Sequence, residues 1–145
     1  MTPQQTAELV RDGMFARDRA AQSLAMRITH IAPGEATIEM PVRDDMLNGF
    51  DTCHGGYITT LGDTAFAYAC NTRNEMTVAS GLSIDFLAPA REGDRLTAEA
   101  REVSLAGRTG DSRFTAVHGS ATDVEEIVRA HGFEHADYVD RKSVV

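Results

Sequence analysis

Two stretches of this chain alternate apolar and polar residues with a period of two, and a helical pattern lies between them. From Ala36 to Val42, the residues Ala36, Ile38, Met40 and Val42 fall on one face and Thr37 and Glu39 on the other. Such alternation predicts a half-buried strand. Residues 76–87 repeat the pattern at greater length. Met76, Val78, Ser80, Leu82, Ile84 and Phe86 share one face, and Thr77, Ala79, Gly81, Ser83 and Asp85 share the other. The expectation is a long strand with one face well buried. Tyr57 to Cys70 instead reads as a buried helix whose core face uses Ile58, Leu61, Ala65 and Ala69. Gly62, in mid-helix, costs roughly 1 kcal/mol relative to alanine. Close packing against a sheet or a second chain is therefore expected there.

The flanks complete the outline. Residues 3–22 read as one helix, with Pro3 in its first turn and Leu9, Val10, Met14 and Ala21 as an apolar stripe. Leu24 to Ile31 reads as a strand, and Pro33-Gly34-Glu35 as a turn. Pro41 marks the following strand as an edge or a bulged strand. Residues 43–53 form a polar loop. Pro89 ends the long strand, Arg91 to Asp94 turns the chain, and Leu96, Ala98 and Ala100 begin a return strand extending to Leu105. Arg113 to Thr122 has strand character. Asp123 to His131 reads as helical and acidic, and Glu134 to Val145 is polar and offers no core. The order is helix, two strands, long helix and strand meander. It predicts an α+β domain in which an antiparallel sheet wraps one central helix.

Composition narrows the function classes. The 145 residues are 42% hydrophobic, which suits one domain with a real core. A net charge of −8 argues against nucleic-acid binding, though a local basic pocket would still accept an anionic small ligand. Cys53 and Cys70 have neither zinc-ligand nor redox spacing. No signal-peptide pattern or long apolar run is present, so a soluble cytoplasmic protein without membrane association is expected. His131 and His135 have i, i+4 spacing, but no third ligand stands out and Gly132 interrupts them, so no metal site is expected.

The chemistry concentrates at residues 48–70. Asp63 is the one ionisable carboxylate in an apolar helix, and such a group is costly unless it is partnered or used. The corner His54-Gly55-Gly56 precedes the helix. A glycine-rich helix N-terminus presents free backbone N–H groups and a positive dipole end, which suit an oxyanion. Together these are two halves of an acyl-transfer site. Blander readings stand beside each residue. Asp63 can face solvent, His54 can be a helix-start residue packed on the loop, and Asn48-Gly49 is a common turn signal. Tyr57, Phe66 and Tyr68 can line an aryl pocket, but on a buried helix they more often belong to the core.

From Leu24 to Gly110 the chain resembles the hot-dog-fold acyl-CoA thioesterases, most closely those of the phenylacetate-pathway (PaaI) type. The resemblance rests on Met46-Leu-Asn48-Gly49, Cys53-His-Gly-Gly56, Leu61-Gly-Asp63 through Asn71, Ile84-Asp-Phe-Leu87, Pro89, Gly93-Asp94 and Gly107-Arg-Thr-Gly110. It implies the hot-dog fold, a long helix wrapped by an antiparallel sheet. It also implies edge-to-edge dimers that pair into tetramers. Hydrolysis of phenylacetyl-CoA or a related aryl or small acyl-CoA is the implied activity. No separate cofactor is implied, since coenzyme A enters as part of the substrate. Carried onto this chain, the implied catalytic residues are Asp63, Gly55, Asn48 and His54. Asp63 would be base or nucleophile, and the Gly55 amide would polarise the thioester carbonyl. Asn48 would orient water or the carboxylate, and His54 would line the carbonyl site. Gly56 and Thr64 are candidates for substrate contact, Thr64 also for orienting Asp63.

Two departures accompany the resemblance. Ala88 stands where the family often has arginine, and after Gly110 the family's closing strand pair has no clear counterpart. The domain is therefore drawn as 1–110, with 111–145 a divergent segment that either completes the sheet or is partly disordered; the expectation is a sheet short by about one strand, or one that borrows an edge from a partner chain. Spacing adds one inference of its own. Gly55 and Asp63 are eight residues apart, so on a helix they are separated by about 12 Å at ~1.5 Å per residue. Reacting groups must approach within ~3–3.5 Å. One thioester can use both groups only if they come from different subunits. A hot-dog acyl-CoA hydratase and a non-catalytic acyl-CoA-binding protein are the alternatives.

Overall fold

The computed structural model describes residues 1–79, 81–82, 84–106, 109–118 and 138–141, with side chains through residue 103. Helix α1 (Pro3–Phe15) starts with a capping box. The Thr2 hydroxyl accepts from the Gln5 N–H, and the Gln5 side chain accepts from the Thr2 N–H. The single helix expected over 3–22 is broken. Asp18 caps a second short helix, α2 (Arg19–Ser23), by accepting from the Ala21 N–H at 3.0 Å. Aspartate competes well for such caps, so the chain restarts there instead of continuing. Leu9, expected in the apolar stripe, is exposed, and Ala7 is buried in its place.

Strands β1 (Arg27–Ala32), β2 (Glu35–Pro41), β3 (Arg95–Ala106), β4 (Thr109–His118) and β5 (Tyr138–Arg141) form one antiparallel sheet in chain order. Gly34, at φ +79°, makes the β1–β2 turn, a backbone state that favours glycine. β2 lies between β1 and β3, which corrects the edge expected from Pro41. Pro41 is nevertheless tolerated because β1 pairing stops at Glu39. The bulge in this pair lies on β1, between Ile28 and His30.

Helix α3 (Gly55–Asn71) crosses the sheet over β2 and β3. The register sets Ala36 opposite Ala100, Ile38 opposite Ala98 and Met40 opposite Leu96, and all six are buried. Small residues on β3 let Leu61, Ala65 and Ala69 of α3 come down onto the larger side chains of β2. Burial of a side chain such as Ile38 contributes about 1.5–3 kcal/mol. This is the long helix on an antiparallel sheet that the resemblance implies.

Two expectations fail. Residues 76–87 join no strand in their described part. The tail, expected to supply no second strand beyond β4, supplies β5, whose Tyr138 and Val139 are good strand formers. β4 runs through residues 110 and 111 without a break. The helical reading of Asp123 to His131 and the histidine pair His131 and His135 lie outside the described residues. Among the described residues no helix is long and apolar enough to cross a membrane.

Candidate active site

The loop before α3 is held by its own backbone and by one side chain. Asn48 Oδ1 accepts from the Phe50 N–H at 2.9 Å, the Thr52 N–H at 3.3 Å and the Thr52 hydroxyl at 3.1 Å. The Cys53 N–H donates to the Ala90 carbonyl and the His54 N–H to the Met46 carbonyl, both at 2.8 Å. This locks the approach to the helix. The Asn48 oxygen is spent on the loop, so only its amide N–H groups can turn toward a ligand.

His54 is the N-cap. Its Nδ1 accepts from the Gly56 N–H at 2.9 Å, which places the ring proton on Nε2 and removes Nδ1 as a base. The His54 carbonyl accepts from the Tyr57 N–H at 2.9 Å. The Gly55 N–H has no acceptor among the described residues. The helix thus opens with one free donor, next to the capping imidazole and at the positive end of the dipole.

Asp63 follows two turns later. It is exposed, as is Gly56, with Thr60 half-buried between them on the same face; Leu61, Ala65 and Ala69 face the core. Asp63 therefore does not sit in the buried environment its apolar sequence neighbours suggest. It makes no hydrogen bond or ion pair among the described residues, and partial desolvation still raises its carboxyl above the ordinary carboxylate range. The carboxylate reaches water on one side while the helix beneath it withholds part of its hydration, so exposure and a raised pKa coexist. Thr64 donates its hydroxyl proton to the Thr60 carbonyl at 2.7 Å, so toward Asp63 it can only accept.

His54, Gly55 and Gly56 lie together at the helix start, and the loop of Asn48 is tied to it through the Leu47–Cys53 bridge and the His54–Met46 bond, while Asp63 of the same chain stays two turns away. Clefts of about 450 Å³ (Arg11, Phe15, Met26 and neighbours) and about 220 Å³ (Gly34, Arg73, Glu102 and neighbours) include none of these residues. Phe66 and Tyr68 are buried. Tyr68 donates to Asp18 at 3.3 Å, and burial together with that carboxylate pushes its phenol up. Both cysteines are buried thiols, and desolvation raises that of Cys53, which suits packing and not nucleophilic work.

Sequence reasoning missed two features. One is Phe86, whose ring rests on Gly55. The other is buried Asn71, whose side chain donates to the Thr77 carbonyl at 2.8 Å and accepts from the Thr77 N–H at 2.9 Å. No sequence signal marked the first: that Gly55 is not called for by a positive φ is visible only in the folded backbone.

Comparison with known proteins gives the family. Residues 50–124 match the model of the thioesterase superfamily. Over 97 residues, 67% of this chain and 69% of the relative, the sequence is 44% identical to the acyl-coenzyme A thioesterase PaaI of Escherichia coli K12. The solved structure of E. coli PaaI, from the phenylacetic acid degradation operon, superposes with a TM-score of 0.84 at 32% identity, covering 99% of this chain and 96% of that one. A variant of the phenylacetic acid degradation protein PaaI of Thermus thermophilus gives 0.71 at 33% identity, over 88% and 100%. A match that spans this much of the chain, in sequence and in fold alike, makes the protein a member of the thioesterase superfamily.

Proposed function

We propose that the protein hydrolyses acyl-CoA thioesters, of phenylacetyl-CoA or a related aryl or small acyl group, at a site built by two copies of the chain. One observation carries this reading. An unspent amide at the start of α3 and an unpaired carboxylate two turns along the same helix are too far apart to serve one carbonyl within one chain. A two-fold dimer sets Gly55 of one copy against Asp63 of the other. Pairing of two such dimers gives a tetramer, which a solution-scattering mass checks. The named activity of the E. coli relative supports the reaction class.

The reaction then runs through these residues. The Gly55 N–H donates to the thioester oxygen and stabilises it as charge develops; one such donor is worth about 2.7–4 kcal/mol of barrier. Asp63 of the other copy takes a proton from water as the water oxygen bonds to the carbonyl carbon. The tetrahedral intermediate collapses, the carbon–sulfur bond breaks, and the proton on Asp63 passes to the departing thiolate. Desolvation strengthens Asp63 as a base. The Asn48 amide N–H groups and the His54 Nε2 proton are the polar groups near the carbonyl, with Gly56 and Thr64 beside the thioester. Attack by the carboxylate itself would instead form a mixed anhydride, and hydrolysis of that anhydride at its aspartyl carbon would leave ¹⁸O in Asp63 after a single turnover in labelled water.

Thiol release from a panel of acyl-CoA esters tests the reading. Asp63→Ala is expected to lower kcat/KM by about 10²–10⁴-fold with a melting temperature no lower than that of the wild type. Activity requires the ionised carboxylate, so kcat/KM should fall as pH drops, with a midpoint above the ordinary aspartate value. Near-wild-type turnover by a folded Asp63→Ala protein would remove Asp63 from the mechanism. Tight binding of intact ester without thiol release would favour the non-catalytic alternative. Hydration of an enoyl-CoA would favour a hydratase.

A further inference from the structure

Gly55 lies at an ordinary helical position, and a neighbouring ring fills the space beside it. A Cβ built at residue 55 would meet Phe86 Cζ at 2.8 Å, Cε1 at 3.1 Å and Cε2 at 3.3 Å. The first of these is closer than real Cβ atoms come. The ring therefore occupies the space that a side chain at 55 would fill. Its backbone is anchored on both sides: Ile84 packs against the core, and buried Ala90 accepts the Cys53 N–H. Even so, Phe86 is 55% exposed. A large apolar ring is thus fixed against the first turn of α3, with much of its surface open, beside the one free amide of the helix start. On the same turn His54 and Tyr57 meet edge to face at 6.5 Å, so the amide has aromatic groups close by in sequence as well as across the chain.

We propose that Phe86 is a specificity-determining residue. Its ring is the wall against which an aromatic acyl group rests when the carbonyl is held on the Gly55 N–H, and residue 55 is glycine so that this wall can reach the amide. The inference rests on the thioester reading above. An acyl group held at that amide projects its substituent into the space beside the ring. An aryl group gains both burial and offset or edge-to-face ring contact there, whereas an acetyl group reaches too little of it to gain either. Gly55→Ala keeps the N–H but displaces the ring, so it should erode the preference for aryl substrates while leaving the donor present.

Binding separates this inference from the reading beneath it. Titration calorimetry with the non-hydrolysable ketone analogues of phenylacetyl-CoA and acetyl-CoA, which carry a methylene between sulfur and carbonyl and so keep the oxygen that Gly55 would hold, measures Phe86 without turnover, while thiol release by the wild-type protein measures the reading. Phe86→Ala is expected to weaken the phenylacetyl analogue by about tenfold, the size of one lost ring contact with its burial, and the acetyl analogue by less than about threefold. Phe86→Leu keeps apolar bulk and guards against misfolding; it should show the same divergence in smaller measure. Equal weakening of both analogues, or none in either variant, would overturn the role of Phe86 whether or not the wild-type protein releases thiol.

Discussion

Strand β2 and the segment 76–87 carry the same alternation but meet different fates. In β2 the apolar face lies on the core, with Ile38 and Met40 fully buried and both neighbours paired. In the later segment Met76 is 88% exposed, Val78 56%, Leu82 44% and Phe86 55%, and no described residue joins a strand. Alternation shows that a face is to be buried; it does not show that the chain itself supplies the cover. For β2 the cover is α3 and the ladder partners are β1 and β3. For the described residues of 76–87 the single chain supplies neither along most of their length, and an apolar run with backbone groups unspent among the described residues is a surface suited to pairing with another chain. Its first residues are fixed differently, by the Asn71 side chain, which gives Thr77 the donor and acceptor a neighbouring strand would give.

A charge placed on each face sharpens the contrast. Ile38→Asp loses a buried side chain and buries an unpaired carboxylate, a cost of at least about 4 kcal/mol and a large share of a typical domain's stability. Circular dichroism should show an unfolded or barely folded protein. Val78→Asp should leave the fold in place but yield a monomer in sedimentation velocity, with thioesterase activity lost alongside. If Val78→Asp stays associated and active, the two faces do not differ in the way claimed.

A smaller effect is expected at the clamp. Asn71→Ala leaves the Thr77 N–H without its acceptor and the Thr77 carbonyl with only the long contact from the Cys70 thiol, at a cost of about 1–3 kcal/mol. Hydrogen exchange should report it as faster exchange at Thr77, with α3 unaffected. The smallest effect concerns Asp63. Its folded-state pKa is raised, so the folded protein holds that proton more tightly than the unfolded chain does. Its stabilising contribution is therefore fully present at low pH and lost as pH rises through the window between the unfolded and folded values. Asp63→Asn should slightly raise the melting temperature at neutral pH and leave it unchanged below that window.

The legible parts of the fold were those whose partners are near in sequence or were implied by period. Ala36 to Val42, Tyr57 to Cys70 and the Pro33-Gly34-Glu35 turn needed little beyond spacing. The break at Asp18 was harder, because an N-cap inside a helical pattern looks like any polar position. The fate of 76–87 depends on what lies beside it, which no local pattern contains. β5 escaped notice because four residues in a polar tail look unlike a strand until β4 offers an edge. At the site, His54 and Gly55 were readable as a helix start, whereas the capping of Gly56 by the imidazole, the self-bonded loop of Asn48 and the ring of Phe86 on Gly55 depend on side-chain placement.

The central claim is that one active site takes its amide from one chain and its carboxylate from another, and complementation tests it most directly. One parent carries Asp63→Ala. The other carries Gly55→Pro, which removes the N–H at a position where proline fits the helix start and His54 is already extended, together with Phe86→Ala to make room for the ring. Each parent alone should be inactive. Differently tagged copies, co-expressed and purified through both tags, contain sites that combine an intact Gly55 and Phe86 from one chain with Asp63 from the other. A shared site predicts that thiol release returns in this mixed assembly, at a substantial fraction of the wild-type rate. A mixed assembly as inactive as its parents would contradict it.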